Sequence, residues 1–495
     1  MRRAAHPVLP LLILCLLVSS CGLRVSDETR QALLRNELSQ GSVATGTAPS
    51  STTGDTTGTT GTTGSTSGSG STGTGSTATG ATSATGSTGS AGTSGSATGA
   101  SSAGSTTGAP PPAGGNGGAT DVGVTPTTLT VGTVVDQSGP RPGLFNGSLA
   151  GTRAYFAYIN SQGGVYGRKL QTAAGDSATS CNATADAHTA LTSKVFAFVG
   201  SFGVFDNCAA PVFAANPGIA DVSYAISSDR GAVKNNFAVQ LQSAGAQAGP
   251  ALVFKQKFPG IEKKVGALIA DVAASRSAWA NLKSMYEQLG FSIIYEQFVA
   301  PTEVDFTRYV IGMRQAGVDM VVLTNDVSGE VKFVNTAEQQ GYQPNVITTR
   351  AVFYDPGFKD LISGSPTNVF SELGSALYFN KEERDNPGVA LYQDWMDKTA
   401  PDQAKDSFSV FSWCQAKLFV DALLKAGPRA TRPSLLTALR GQHSVDTAGL
   451  LPSGDPALKK PTPCFIIAHY EGNAWRRWNS PAKGFDCSKP FVYRK

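Results

Sequence analysis

Cysteine and histidine, which can act as nucleophiles or bases and bind zinc, occur seven and four times in this 495-residue chain. A zinc site needs several of them at short spacing. The chain has no Cys-x-x-Cys, and its four histidines lie far apart: His6, His188, His443 and His469. Beyond residue 120 it also lacks Gly-x-Ser-x-Gly, the motif of many serine hydrolases. We therefore expect no metal, no cofactor and no enzymatic activity.

Cys21 stands where an export signal would be cleaved. Arg2 and Arg3 precede an apolar stretch over 8–18, which is too short for a comfortable membrane span and typical of a secretory signal covering residues 1–20. The run Val18-Ser19-Ser20-Cys21 resembles a bacterial lipobox, whose cysteine is lipidated. We therefore expect a lipid anchor on Cys21 that holds the protein to the extracytoplasmic face of the cell membrane. The alternative is a cysteine that happens to follow a signal.

The segment 41–120 consists almost entirely of Gly, Ser, Thr and Ala, with Asp55 as its only charge. Such a segment cannot bury enough apolar surface to offset the entropy of ordering, so we expect a disordered linker. It follows a short lipid-attached segment, 21–40.

The whole chain has 40 basic and 36 acidic residues; without Arg2 and Arg3 the balance is 38 − 36 = +2. A nearly neutral surface without a basic run argues against nucleic acid as a partner.

From residue 121 onwards, stretches typical of strands and helices alternate in two blocks. Such alternation predicts parallel sheets covered by helices on both faces, and the length exceeds that of a usual single core. We therefore predict an α/β fold with two doubly wound lobes. The predicted strands are 129–135, 169–173, 195–200, 219–223, 265–270, 291–298, 320–324 and 373–379. The predicted helices are 146–161, 182–192, 209–215, 277–289, 305–315, 329–340, 388–398 and 408–426.

The run Ile159-Asn160-Ser161-Gln162-Gly163-Gly164-Val165-Tyr166-Gly167-Arg168-Lys169-Leu170 follows a strand that ends near Ser138-Gly139. Together they resemble the opening of the leucine/isoleucine/valine-binding protein family, the type I periplasmic binding proteins of ABC transporters. The stretch 413–426 (WCQAKLFVDALLKA) also fits, with Trp413 where the family usually has Tyr. The resemblance covers about 125–480.

The resemblance implies two lobes joined by three crossovers that close on a ligand, in a monomer that serves an ABC transporter permease. The first lobe would comprise about 125–243 and 376–445, and the second about 247–372 and 446–495. Some members have a disulfide near the ligand loop, and Cys181 and Cys208 fit it. Cys464 and Cys487 could pair near the C-terminus, whereas Cys414 lies in a predicted helix and resembles a buried free thiol.

Ligands of parallel sheets bind beyond the carboxyl ends of the strands. In amino-acid-binding members, hydroxyl and backbone N–H groups of the first lobe bind the ligand carboxylate. The candidates here are Ser138, Phe202, Gly203, Phe205, Ala225 and Ser227, with Ser227 as the expected side-chain contact. Each of them could also be an ordinary turn residue. The two phenylalanines and Trp413 could form apolar walls of the site or belong to the core.

The second lobe departs from the family pattern. Small residues replace an expected aromatic residue in 271–276, and the carboxylate that holds a ligand ammonium is absent from 348–351. Asp326 could substitute for that carboxylate or only cap a helix. Arg350 or Arg141 could bind an anionic ligand or lie on the rim. We therefore expect an amino-acid-like, amide or organic acid ligand. Besides transport, ligand sensing through a partner protein and adhesion on a stalk remain open.

Overall fold

The computed structural model describes residues 112–140, 142–241, 245–479 and 481–495. The predicted export signal, Cys21, the segment 21–40 and most of the predicted linker lie outside these residues. The last part of the predicted linker, 112–120, is folded against the following domain. Arg168, which is 3% exposed, donates hydrogen bonds from Nη2 to the Asn116 and Gly118 carbonyls and from Nη1 to that of Pro428. The folded part therefore includes these linker residues.

The first lobe contains a four-stranded parallel sheet in the order β2-β1-β3-β4. Strand β1 pairs with β2 from Thr128 opposite Lys169 to Val135 opposite Asp176. The strands are β1 (Thr128–Val135), β2 (Lys169–Asp176), β3 (Phe198–Val199) and β4 (Asp221–Val222). The helices are α1 (Asn146–Ser161), α2 (Cys181–Thr192), α3 (Ala210–Ala215) and α4 (Ser228–Ala232), and a 3-10 turn spans Asp206–Ala209.

The second lobe contains a seven-stranded sheet in the order β12-β11-β10-β9-β8-β6-β7, and β5 pairs with β13 in a separate ribbon. The strands are β5 (Gly245–Gln247), β6 (Val265–Ala270), β7 (Ile293–Val299), β8 (Met320–Thr324), β9 (Val346–Thr349), β10 (Val369–Leu373), β11 (Ile466–Glu471), β12 (Ala474–Arg477) and β13 (Phe491–Tyr493). The helices are α5 (Gly249–Lys257), α6 (Ala273–Gln288), α7 (Thr307–Ala316), α8 (Val327–Gln339) and α9 (Phe358–Leu361).

Three helices that follow β10 in the chain return to the first lobe, where α11 packs along α1. They are α10 (Pro387–Thr399), α11 (Ser407–Ala426) and α12 (Arg432–Arg440). Trp413 of α11 packs between Tyr155 of α1 and Tyr392 of α10. Its ring centroid lies 5.0 Å from that of Tyr155 and 5.7 Å from that of Tyr392. None of the helices in the described ranges combines the length and apolar character that crossing a membrane requires.

The chain crosses between the lobes three times, and the Gln240 amide joins the three crossings. Its Nε2 donates to the Gly374 carbonyl at 2.6 Å and to the Pro452 carbonyl at 2.9 Å. Gln240 is 3% exposed, so these bonds are shielded from water. The crossings are also bonded to one another directly, because the Ala376 N–H donates to the Leu450 carbonyl. The hinge is thus a small hydrogen-bonded unit.

The predicted α/β class, the two lobes and the three crossovers are confirmed, with differences in detail. The strand predicted at 373–379 is wrong: the strand is β10, and residues 374–378 form the second crossing. The second sheet is mixed rather than purely parallel, because β11 runs antiparallel to both β10 and β12. Residues near 459, assigned by sequence to the second lobe, contact the first, where Lys459 Nζ donates to the carbonyls of Gly231 and Val233.

The structure contains both expected disulfides. Cys181, the first residue of α2, is bonded to Cys208 in the 3-10 turn after β3. Cys464 and Cys487 form the second disulfide. The two cysteines are 23 residues apart in this disulfide and 27 residues apart in the first. Cys414 is a buried free thiol, and burial raises its pKa above the usual range.

Removing either disulfide should lower stability by a similar amount, about 3 kcal/mol in the chain-entropy account, because the two loops have similar lengths. The Cys181→Ser/Cys208→Ser protein should also show faster hydrogen exchange over 201–208, since its disulfide holds that loop to α2. The Cys464→Ser/Cys487→Ser protein is the matched control. Urea unfolding and hydrogen exchange measure both effects; equal exchange in the two proteins would contradict this role.

His188 is buried between Phe198 and Phe213, with Nδ1 donating to the Thr184 carbonyl at 2.7 Å. Burial, and then the Arg230 charge, lower its pKa to about 4. The unfolded chain takes up this proton near pH 6.5, and the folded protein only near pH 4. The free energy of unfolding should therefore fall by roughly 3 kcal/mol as the pH is lowered through this window. His188→Leu should abolish this fall in the free energy of unfolding, as measured by urea unfolding at several pH values. An unchanged pH dependence in that variant would exclude His188 as its source.

Candidate ligand-binding site

The carboxyl ends of the first-lobe strands carry three acidic side chains. Asp136 follows β1 and accepts hydrogen bonds from the Ser177 hydroxyl and the Thr179 N–H. Asp176 ends β2 and accepts from the Ser138 hydroxyl at 2.6 Å. Asp206 follows β3 and is 1% exposed. Among the described residues, this edge of the first lobe thus carries three carboxyl groups; Arg141, in the loop after β1, lies outside the described residues.

Asp206 occupies the backbone donors that the sequence had suggested for a ligand carboxylate. Its Oδ2 accepts from the Ile226 N–H at 2.7 Å, and both of its oxygens lie 3.2 Å from the Ser227 nitrogen. The Ser227 hydroxyl also bonds to this carboxyl group and caps α4 by accepting from the Arg230 N–H. Burial raises the pKa of Asp206, against the lowering effect of the Arg230 charge and these hydrogen bonds.

A buried ion pair joins α4 to β4. Arg230 donates from Nε and Nη2 to the two carboxylate oxygens of Asp221 in β4, at 2.9 and 2.8 Å. Both side chains are fully buried, at 1% and 0% exposure. The Asn236 amide donates to the same carboxylate at 2.9 Å. Helix α4 is thereby fixed to β4, and the loop between them is bonded to Asp206 through the Ile226 and Ser227 N–H groups.

Five aromatic side chains form what we call the aromatic cluster at the same edge of the first lobe. Its members come from the β1–α1 loop, the ends of β3 and β4 and the start of α11: Phe145, Phe202, Tyr224, Phe408 and Phe411. Phe202 stacks on Tyr224 with ring centroids 5.4 Å apart, and Tyr224 packs on Phe411 at 4.7 Å. Phe408 is only partly buried. The other four are 3–6% exposed and belong to the hydrophobic core, so they pack against one another rather than line an open surface.

Arg350 is a basic residue of the second lobe that directly follows β9. Its side chain is 20% exposed and lies 3.8 Å from Glu372. Nη2 donates to Gln247 Oε1 at 2.7 Å, the one hydrogen bond that its guanidinium makes within the described ranges. Burial raises the pKa of Tyr224, and the Arg350 charge acts in the opposite direction. Within the second lobe, the guanidinium is thus hydrogen-bonded to Gln247 and ion-paired with the nearly buried Glu372.

Glu330 is a second-lobe carboxyl group that the sequence analysis missed. It is 1% exposed, and its Oε1 accepts from the Thr349 hydroxyl at 2.7 Å and the Asn325 N–H at 3.1 Å. Its Oε2 has no hydrogen-bond partner among the described residues. Burial raises its pKa well above the usual value, so this group favours the neutral form. Asp326 caps α8, accepting from the Gly329 N–H at 2.8 Å.

The two lobes contact each other at the mouth of the cleft. The Ser277 hydroxyl of α6 lies 3.1 Å from the Ser228 hydroxyl and accepts from the Ser228 N–H at 3.2 Å. Nearby, the Ala274 N–H donates to the Val204 carbonyl at 3.4 Å. These contacts join the first-lobe loops after β3 and β4 to the start of α6.

The other candidates from the sequence occupy different places. Gly203 is buried and Phe205 partly buried in the β3 loop, and Ala225 is buried beside Tyr224, so all three lie close to the aromatic cluster. Ser138 is exposed at the rim, whereas Trp413 belongs to the core of the first lobe. No three His, Cys, Asp or Glu side chains within the described ranges are grouped so that they could hold a metal ion.

A sequence profile described as periplasmic binding protein matches residues 128–473, more than half of the chain. Leu/Ile/Val-binding protein homolog 7 of Brucella suis biovar 1 (strain 1330) is 23% identical over 315 residues, which cover 60% of this chain and 77% of that protein. The corresponding protein of Brucella abortus (strain 2308) has the same identity and coverage.

Solved structures show the same fold. A fatty acid ABC transporter substrate-binding protein from Thermomonospora curvata has a TM-score of 0.61 at 20% identity, covering 78% of this chain and 96% of that one. A branched chain amino acid ABC transporter protein from Thermus thermophilus with bound valine has 0.62 at 15%, covering 72% and 96%. An R. palustris solute binding protein in complex with 4-hydroxybenzoate has 0.59 at 16%, covering 74% and 96%. The profile match, together with this two-lobed fold, shows that the chain belongs to the periplasmic binding protein family.

Proposed function

We propose that this protein captures a small polar or carboxylate-bearing ligand between its two lobes and delivers it to an ABC transporter permease. The observation that carries the proposal is the pair of facing strand edges, joined on one side by the Gln240 hinge and in contact on the other through Ser228 and Ser277. The relatives and structural neighbours named above include substrate-binding proteins of ABC transporters. Family membership also implies an extracytoplasmic location.

The ligand would lie between the aromatic cluster and Arg350. Phe202, Gly203, Phe205 and Ala225 are at or near the cluster, while Ser227 would act through its bonds to Asp206 rather than by touching the ligand. Among the structural neighbours, one is named for fatty acids and another is bound to 4-hydroxybenzoate. The partly exposed Arg350 guanidinium supports a ligand that carries a carboxylate or another polar group.

Closure on the ligand should depend in part on the Ser228–Ser277 contact. Ser277→Ala removes a hydrogen bond between the lobes, so we expect a roughly fivefold faster dissociation of the co-purified ligand. Ser193→Ala, an exposed serine after α2, is the control. Mass spectrometry of small molecules that co-purify with the full chain identifies the ligand, and stopped-flow measurements give its rates. Small-angle scattering should show compaction on ligand addition; no co-purified ligand and no compaction would refute the function.

We also propose that Cys21 carries the lipid anchor, because small residues precede it at the end of a short apolar stretch. Cys21→Ala should leave the protein unprocessed or release it into the medium, because the thiol that carries the lipid is gone. Membrane fractionation and intact-mass analysis measure both outcomes. Ser20→Ala, which keeps a small residue and the thiol, is the control and should remain anchored. A Cys21→Ala protein that is processed and retained like the parent would exclude the anchor.

A further inference from the structure

The short helix α4 brings Ser228 to the cleft mouth, where it meets Ser277 of the second lobe at 3.1 and 3.2 Å. This helix comprises only the five residues Ser228–Ala232. A helix of this length has few internal hydrogen bonds, because the first four N–H groups and the last four carbonyl groups of any helix lack partners within it. The position of α4 must therefore be set by contacts with the rest of the protein.

Lys459 holds the C-terminal end of α4. Its Nζ donates to the carbonyls of Gly231, Val233 and Asn236 at 2.9, 2.7 and 2.8 Å. An ammonium group has three N–H donors, so each of them is used here. Burial lowers the pKa of this amine to about 8, while the Asp221 charge acts in the opposite direction, so the amine is mostly charged at pH 7. Hydrogen bonds from a charged donor are about twice as strong as neutral ones.

The backbone at Lys459 shows that its direction is fixed. Its φ is 55°, in the left-handed region. Residues other than glycine rarely adopt this conformation, and it persists where surrounding contacts hold it. One such contact is next to it, because the Asp455 and Lys460 backbones exchange two hydrogen bonds, at 2.8 and 3.0 Å, which close the turn that contains Lys459. The turn thus directs the Lys459 side chain towards α4.

The same turn is attached to the hinge. It begins after Pro452, whose carbonyl accepts from Gln240 Nε2 at 2.9 Å. The Gly454 N–H donates at 2.9 Å to the carbonyl of Val239, the neighbour of Gln240 in the first crossing. Lys459 therefore connects a segment that is fixed at the hinge with the helix that reaches the cleft mouth.

The other contacts that hold α4 come from strands and loops of the first lobe. Asp206 accepts from the Ser227 N–H before the helix, and Arg230 pairs with Asp221 from its middle. These contacts remain when the Lys459 amine is removed, whereas the end of the helix loses three hydrogen bonds. We therefore expect removal of the amine to shift α4 without unfolding the lobe.

We propose that Lys459 is a positioning residue for cleft closure, which fixes α4 from the hinge segment so that Ser228 meets Ser277. The inference rests on the proposed function, because closure serves a protein that captures a ligand between its lobes. Lys459 acts through α4 and needs no contact with a ligand.

A pair of cysteines at the mouth measures this contact in the full chain without any ligand. In the Ser228→Cys/Ser277→Cys protein, oxidised glutathione converts the two thiols to a disulfide, and maleimide labelling of the remaining thiols gives the rate. Adding Lys459→Met, which keeps the length of the side chain and removes its donors, should slow this reaction by about fivefold or more. Lys460→Met, at an exposed position of the same turn, is the matched control and should leave the rate unchanged.

A second control separates positioning from overall stability. Met396→Ala leaves a cavity in the core at α10, so it should lower the free energy of unfolding in urea and leave the cross-linking rate unchanged. An unchanged rate with Lys459→Met, or an equal fall with Lys460→Met or Met396→Ala, would overturn the proposal.

Lys459→Gln keeps the test decisive if Lys459→Met does not fold. Its shorter amide cannot replace the ammonium at all three carbonyls, so cross-linking should again be slower than in the parent, and an equal rate would overturn the proposal. Because cross-linking uses no ligand, its outcome is independent of the compaction on ligand addition that tests the proposed function. A slower rate without such compaction would support the role of Lys459 in the mouth contact while refuting capture of a ligand.

Discussion

The buried guanidinium of Arg230 is the constraint on which the ligand edge of the first lobe depends. A charge without access to water must be matched by opposite charge at close range, and losing one partner of such a pair typically costs about 3–5 kcal/mol. Asp221 supplies the bidentate partner, and the Arg230 charge also acts to lower the pKa of the Asp206 carboxyl group. The positions of the loops after β3 and β4 are therefore set together.

The two connections between the lobes differ in strength. At the hinge, the buried Gln240 amide bonds to the other two crossings, and the crossings bond to each other. At the cleft mouth, the contacts involve partly buried serines at 3.1 and 3.2 Å. A hydrogen bond that exchanges with water contributes only about 1 kcal/mol. The mouth can thus separate while the hinge stays intact, which is the asymmetry that a ligand-gated cleft requires.

Sequence reasoning predicted what depends on local pattern and missed what depends on long-range contacts. The apolar spacing of α1 and the β-branched run of β1 gave their positions to within one residue. The short strand β9 and the antiparallel β11 and β12 were missed, because their pairing with distant strands leaves little periodicity in the chain. Asp206 follows the predicted ligand residue Phe205, and its acidic side chain was the available signal for a carboxylate that bonds to the protein's own backbone. Its hydrogen bonds to Ile226 and Ser227 could not be read from the spacing.

The contacts of Arg168 determine where mechanical load enters the protein. This one guanidinium bonds to the carbonyls of Asn116, Gly118, Thr125 and Pro428, all beside the first-lobe sheet. A pull applied to the chain at residue 112 would therefore reach the first lobe at this point, away from Gln240 and the crossings. None of these four bonds involves the second lobe, so a movement of that lobe relative to the first leaves them intact.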